Sequence, residues 1–305
     1  MINVGVIRGG NDNSYDSSIS SGGHIISKLS DDELNSNYKP IDIFIDKEGI
    51  WHMNGMPTNP GKIKEKVDVI FNSLHGDYVQ SGEIQKLFEY FEIPYTGSDS
   101  VDSSFVNDKS KVKEELSKIG INTPTHILYP AYLEDFDGPQ DEYIKKITRD
   151  VYNRLPPPWV VKPLTNSSSM PTFVCKTIQD LMNAFNIGLQ NNVSILVEEM
   201  IEGRDVYIDV LSNFRGKEVY PFLCDGSFSS NEKREIENTA TLIHSKLNLK
   251  HYSQSHLIVN SKKGIYLIGV NLFPELHENS IFSKHITDIG FSPHDFINHV
   301  IKLIK

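Results

Sequence analysis

The segment VIFNSLHGDYVQSGEIQKLFEYFEIPYTG, residues 69–97, decides how this chain is read. It begins within an apolar run, residues 67–71, of a length that suits a buried strand, and passes into a polar loop that holds a single His75-Gly76 pair. Ile84, Leu87, Phe88 and Phe91 then recur at i, i+3, i+4 and i+7, which is one face of a helix. Pro94-Tyr95-Thr96-Gly97 closes the segment as a turn. In open α/β sheets, loops at the carboxyl ends of parallel strands carry binding chemistry, so a ligand-facing role is expected for the loop at His75.

On the amino-terminal side, residues 2–8 alternate as a first strand and Gly9-Gly10 turns it into a polar loop. A helix is expected from about Ser21, with Ile25, Ile26 and Leu29 on one face, and residues 41–45 form a second strand. Strands alternating with helices imply a parallel sheet, in a first domain that ends near residue 96. Residues 99–156 read as a charged, helical block. Within it, Asn107-Asp108-Lys109 opens a helix that runs to Ile119 and stops at Gly120.

Pro156-Pro157-Pro158 cannot be helical and leads into a short strand, residues 159–163. A helix over 177–189 and a strand over 194–197, ending in Glu198-Glu199, come next. Residues 206–211 and 219–223 alternate as antiparallel strands around Gly216, and 232–247 form a helix with Ile236, Ala240, Ile243 and Leu247 inward. Residues 256–259 and 264–270 read as a hairpin. Ser292-Pro293 opens the last helix, with Phe296, Ile297, Val300, Ile301 and Ile304 facing the core.

At 305 residues with 38% hydrophobic content the chain is long enough for about two or three domains. Its net charge of −10 argues against nucleic acid or an anionic membrane as partner, because both need a positive field. Cys175 and Cys224 show no zinc-type spacing and are expected as reduced thiols. No secretory leader pattern and no membrane-length apolar run is present, so the expectation is a soluble, cytoplasmic protein.

Three features point to nucleotide phosphate. Lys109 stands at a helix start, Lys162 ends a strand just before Leu-Thr-Asn-Ser-Ser-Ser, and Glu198-Glu199 ends another strand. Lysines act as compact point charges on phosphates, and a serine-rich turn offers hydroxyl and backbone donors. The same residues would equally suit a solvated turn with surface lysines. His24, His126, His244, His251 and His299 show no paired ligand spacing.

Several motifs, in order, carry a family resemblance. Phe71-Asn72-Ser73-Leu74-His75-Gly76, Gly82-Glu83-Ile84-Gln85 and Ile93-Pro94-Tyr95-Thr96-Gly97 are followed by Asn107-Asp108-Lys109, Val160-Val161-Lys162-Pro163 and Ser168-Ser169. Leu196-Val197-Glu198-Glu199, Gly203-Arg204-Asp205, the 266–271 segment and Ser280 complete the series. Together they resemble the D-alanine–D-alanine ligases of the ATP-grasp superfamily. The resemblance implies an α/β and α+β architecture of three domains: a parallel-sheet amino-terminal domain (1–96), a central lid domain (97–196) and a carboxyl-terminal domain (197–305), with nucleotide between the last two.

It also implies ATP and Mg2+ as cofactors and D-alanine-like amino acids as substrates in making a peptidoglycan-type dipeptide, with a homodimer as a further expectation. Lys109, Lys162, Ser168, Ser169, Glu198, Glu199, Ile201 and Asp205 would hold ATP. His75, Ser18 and Ser168 would line the reacting centre, and Ser280 would take a substrate carboxylate. Asn271 would be a metal ligand, with His256 and Glu275 as further candidates.

The chain departs from the family pattern at several positions. Ser14 stands where the family has a glutamate, with Asp12 and Asp16 nearby, and Gln80 replaces an acid. Ser167 and Pro171 replace phosphate-loop glycines. Gln254 falls on the arginine position, and His256 and Gly269 on metal acids. Residues 224–230 lead almost directly into a helix where the family inserts a long loop. Two functions are therefore carried forward: an ATP-dependent carboxylate–amine ligase, or a degenerate ATP-grasp protein that binds nucleotide, metabolite or partner without turnover.

Overall fold

The computed structural model describes residues 1–31, 33–34, 37–165 and 170–304. It divides into two compact units: Met1–Val106 with Tyr207–His256 and Val270–Lys305, and Asn107–Val206 with Leu257–Gly269. No helix among the described residues is long and apolar enough to cross a membrane.

In the first unit, Ile2–Gly9 is the fourth of five strands ordered Met56–Pro57, Trp51–Met53, Tyr38–Ile45, Ile2–Gly9, Val69–Asn72. It pairs parallel with Tyr38–Ile45 and with Val69–Asn72, as the alternating pattern predicts. Val4, Val6, Ile7, Ile70 and Phe71 have no exposure, so these central strands are buried on both faces. The two remaining strands are antiparallel, a hairpin turned by Asn54-Gly55 with both residues at positive φ.

The first helix runs Tyr15–Ser30 and so begins earlier than its apolar spacing indicates. Its serines and glycines are weak helix formers, and close packing selects the helical state instead. Gly22 is the point of closest approach. A Cβ there would sit 2.5 Å from Arg8 Cβ and 2.8 Å from Ser73 Oγ.

Arg204–Phe214 and Lys217–Phe222 are an antiparallel pair in a four-stranded sheet ordered Lys217–Phe222, Arg204–Phe214, Tyr252–Asn260, Gly264–Asn271. One apolar core joins Val4, Val6 and Phe71 to Leu211, Phe222, Tyr252 and the terminal helices through Phe282 and Phe296. The rings of Tyr252, Phe282 and Phe296 lie 5.5–5.7 Å apart, and each such pair contributes about 0.5–1.5 kcal/mol beyond area burial. Only a short segment separates the strand end at Phe222 from the next helix, Ser230–Lys246, which is capped by Ser229 in a capping box with Glu232.

The second unit carries an antiparallel sheet ordered His126–Tyr129, Ile195–Glu199, Trp159–Pro163, Phe173–Cys175. Helices Gln140–Arg154 and Ile178–Gln190 pack on it through Val151, Leu181 and Phe185, against Trp159, Val161, Ile195 and Val197. His126–Tyr129 is a strand within a block whose charge reads as helical. It is a four-residue edge strand with Leu128 exposed, so it leaves little apolar alternation to detect.

Candidate functional site

Alternate residues of Trp159–Pro163 and Ile195–Glu199 face the core of the second unit, which leaves Lys162 and Glu198 on the other face. A helix, Lys109–Ser117, brings Lys109 and Lys113 to the same group, four residues apart and so on one helical side. Asp108 caps it by accepting from the Ser110 and Lys111 amides, each at 3.1 Å.

Glu198 is 2% exposed and divides its oxygens: Oε2 lies 2.9 Å from Lys162 Nζ, and Oε1 3.2 Å from Lys113 Nζ. Lys113 Nζ also donates to the Leu267 and Ile268 carbonyls, both at 3.2 Å, and Lys162 Nζ to the Ile268 carbonyl at 3.4 Å. Lys109 Nζ donates to the carbonyls of Pro163 and Leu164, at 3.3 and 3.4 Å.

Burial, and then the neighbouring charge of Lys162, pushes Lys109 down to about 7. Burial likewise lowers Lys113 to about 8. Burial acts against ionisation of Glu198, but the charges of Lys113 and Lys162 outweigh it and hold the carboxyl below its ordinary range. Two lysines thus flank one carboxylate, and Lys109 lies close enough to feel the charges of all three groups. The excess of positive charge in a desolvated place fits an anion such as a phosphate chain.

The remaining nucleotide candidates take varied positions. Glu199 Oε1 accepts from the Thr125 amide at 2.8 Å, Ile201 is buried, and Asp205 is exposed. Ser168 and Ser169 lie outside the described residues.

In the first unit, His75 is buried at the loop after Val69–Asn72, with Nδ1 3.0 Å from the Phe273 carbonyl and Nε2 2.8 Å from Ser21 Oγ. A carbonyl only accepts, so Nδ1 carries the proton and Nε2 takes the Ser21 hydroxyl. Burial pushes the ring's pKa down, which keeps it neutral. Ser18 Oγ accepts from Gly9 N and donates to the Ser73 carbonyl. Both residues therefore lie inside the loop's own hydrogen-bond framework. Ser280 caps the helix Ile281–Asp288, accepting from Ser283 N at 3.2 Å.

The metal candidates do not converge. Asn271 Oδ1 accepts from the Phe273 amide at 3.0 Å, His256 stacks on Tyr207 with ring centroids 4.6 Å apart, and Glu275 pairs with His277 at 3.0 Å. Gln254, at the arginine position, donates to Asp209 Oδ1 at 2.8 Å. Among the described residues no group of three or more His, Cys, Asp or Glu side chains is arranged to hold a metal ion. Magnesium demands several hard oxygen ligands, so these residues do not fit it.

Lys113 is the member of the cluster that sequence reasoning missed. The run KSKVKEELSK looks solvated. Its signal is positional: Lys113 follows Lys109 by four residues and shares the buried side with Val112 and Leu116.

The family profile described as D-ala D-ala ligase C-terminus matches residues 117–222. A D-alanine–D-alanine ligase of Clostridium botulinum is 27% identical over 318 residues, covering 98% of this chain and 97% of that protein. One of Aquifex aeolicus is 26% identical over 260 residues, 79% of this chain and 84% of the relative. The VanG D-Ala:D-Ser ligase of Enterococcus faecalis superposes with a TM-score of 0.82 at 19% identity, covering 100% of this chain and 99% of that one. A Bacillus anthracis D-alanine–D-alanine ligase complexed with ATP gives 0.77 at 19% identity, over 100% and 97% of the two chains. The profile, the relatives that span nearly the whole chain and the superpositions agree: this chain is similar to D-alanine–D-alanine ligases along its length and has their fold.

Proposed function

We propose that this chain is an ATP-dependent ligase that joins a carboxylate to an amine through an acyl phosphate, with D-alanine or a similar small amino acid as substrate. The observation that carries this reading is the desolvated trio of Lys109, Lys113 and Lys162 near the single carboxylate of Glu198. The relatives named above, D-alanine–D-alanine ligases, supply the reaction class.

A substrate carboxylate oxygen attacks the γ-phosphorus of ATP, ADP leaves, and the amine of the second substrate displaces phosphate to form the amide with loss of a proton. Lys109 and Lys162 hold the phosphate chain and offset its charge. The Ser280 cap uses an oxygen lone pair and leaves the hydroxyl proton for a substrate carboxylate. His75, neutral and bonded at both nitrogens, positions the loop rather than moving a proton. A plan of three domains, at 1–96, 97–196 and 197–305, belongs to the same reading.

Titration calorimetry with ATP, paired with phosphate release in the presence of D-alanine, tests it. The expected result is saturable binding and D-alanine-stimulated phosphate. Binding without stimulated phosphate would leave a nucleotide binder without turnover, and no binding at all would remove the nucleotide reading.

A further inference from the structure

We propose that Lys113 is a positioning residue for the phosphate site: it neutralises Glu198, which leaves the charge of Lys162 available to a bound anion. This rests on the phosphate-binding reading above and deepens it.

Lys113 does not itself reach a ligand. It is 2% exposed, and its ammonium faces three oxygens, Glu198 Oε1 and the carbonyls of Leu267 and Ile268, each at 3.2 Å. An ammonium has three donors, so nothing remains for an incoming group. Lys162 differs. Among the described residues, beyond Glu198 Oε2 it has the longer contact to the Ile268 carbonyl, which leaves one of its three donors uncommitted there.

Lys113 and Glu198 lie 3.2 Å apart, so the ammonium offsets the carboxylate charge at ion-pair distance. Buried ion pairs add little stability compared with apolar residues of the same volume, so packing alone does not account for a lysine here. Its electrostatic effect on the neighbouring lysine does. Without Lys113, the cluster's net charge falls by one and the whole charge of Glu198 acts on Lys162.

The test is titration calorimetry of the full chain with ATP and, separately, with inorganic tripolyphosphate, on wild type, Lys113→Met, Glu198→Gln and the double variant. Lys113→Met should weaken both ligands on the order of 30-fold, the effect of one unit charge at roughly 8 Å and an effective dielectric of about 20. The double variant restores the net charge and should return to within about threefold of wild type. A folding defect would lower stoichiometry and leave the affinity of the folded fraction unchanged; that pattern overturns the proposal. Equal affinities of wild type and Lys113→Met also overturn it, and leave the nucleotide reading standing. Tripolyphosphate binding that depends on Lys113, with no ATP binding, supports it and removes the nucleotide reading. If wild type takes neither ligand, both fall.

Discussion

His285 donates from Nδ1 to Asp209 Oδ2 across 2.5 Å, and Asp209 has no exposure to solvent. The other carboxylate oxygen accepts from Gln254 Nε2 at 2.8 Å. The hydrogen bond to Asp209 raises the pKa of His285 above its ordinary value. His285→Ala would leave a buried carboxylate with one neutral donor, at a cost of about 3 kcal/mol. Burial pushes Asp209 up, so acid protonates it and relieves the penalty. Urea unfolding of wild type and variant at pH 7 should show a difference of that size, and equal stabilities would show that the pair contributes nothing to the fold.

Lys109, at about 7, sets a pH dependence for anion binding. The ammonium form attracts phosphate, so ATP affinity should be greatest below pH 7 and fall as pH rises through 7 to 8. Binding near pH 7 should take up protons, read as a dependence of the calorimetric heat on buffer ionisation enthalpy. Lys109→Met should weaken both effects, leaving the part due to Lys113 at about 8. The unfolded chain holds this proton up to about 10.4. Lys109 therefore opposes folding most below pH 7, and its replacement should raise stability at neutral pH by about 1 kcal/mol while binding is lost.

Acid should unfold the protein partly through His244. Its ring lies between Ser212 Oγ and Ser253 Oγ, and burial lowers it to about 4. Between pH 6.5 and 4 the unfolded chain holds a proton that the folded one does not, so stability falls as pH drops through that window. His251, also at about 4, adds a second such group. His244→Gln should reduce the slope of stability against pH by about one proton, or about 1.4 kcal/mol per unit. An unchanged slope would mean that His244 is already charged when folded.

Gly22 and Gly23 should respond to alanine in opposite directions. A Cβ at Gly22 would meet Arg8 Cβ at 2.5 Å, whereas nothing lies within 4 Å of one at Gly23. Gly23→Ala should stabilise the helix by about 0.5–1 kcal/mol. Gly22→Ala should cost about 1–3 kcal/mol, because the neighbouring strand must move. Chemical denaturation of the two variants checks this, and matching signs would contradict the packing.

Much of the local structure is legible in the residues themselves. Thr177 with Asp180 and Ser229 with Glu232 form capping boxes, and Ser292 caps a helix with Pro293 at its first turn. The parallel pairing of the first strands follows from their alternation with helices. Signals were weaker where the chain relies on its neighbours: the helix at Tyr15 is held by packing around Gly22, and the edge strand at His126 exposes alternate side chains.

The order of motifs around residues 69–97 by itself gave the resemblance and the placement of Lys109 and Lys162 at the ends of elements. Only the tertiary structure decided that these lysines are desolvated, that Lys113 joins them near Glu198, and that His75 is bonded at both nitrogens. It also decided that Asn271, His256 and Glu275 turn to separate partners. Propensities and caps depend on residues a few positions apart. Desolvation and charge pairing depend on groups brought together from distant parts of the chain, and these set which ion a site will accept.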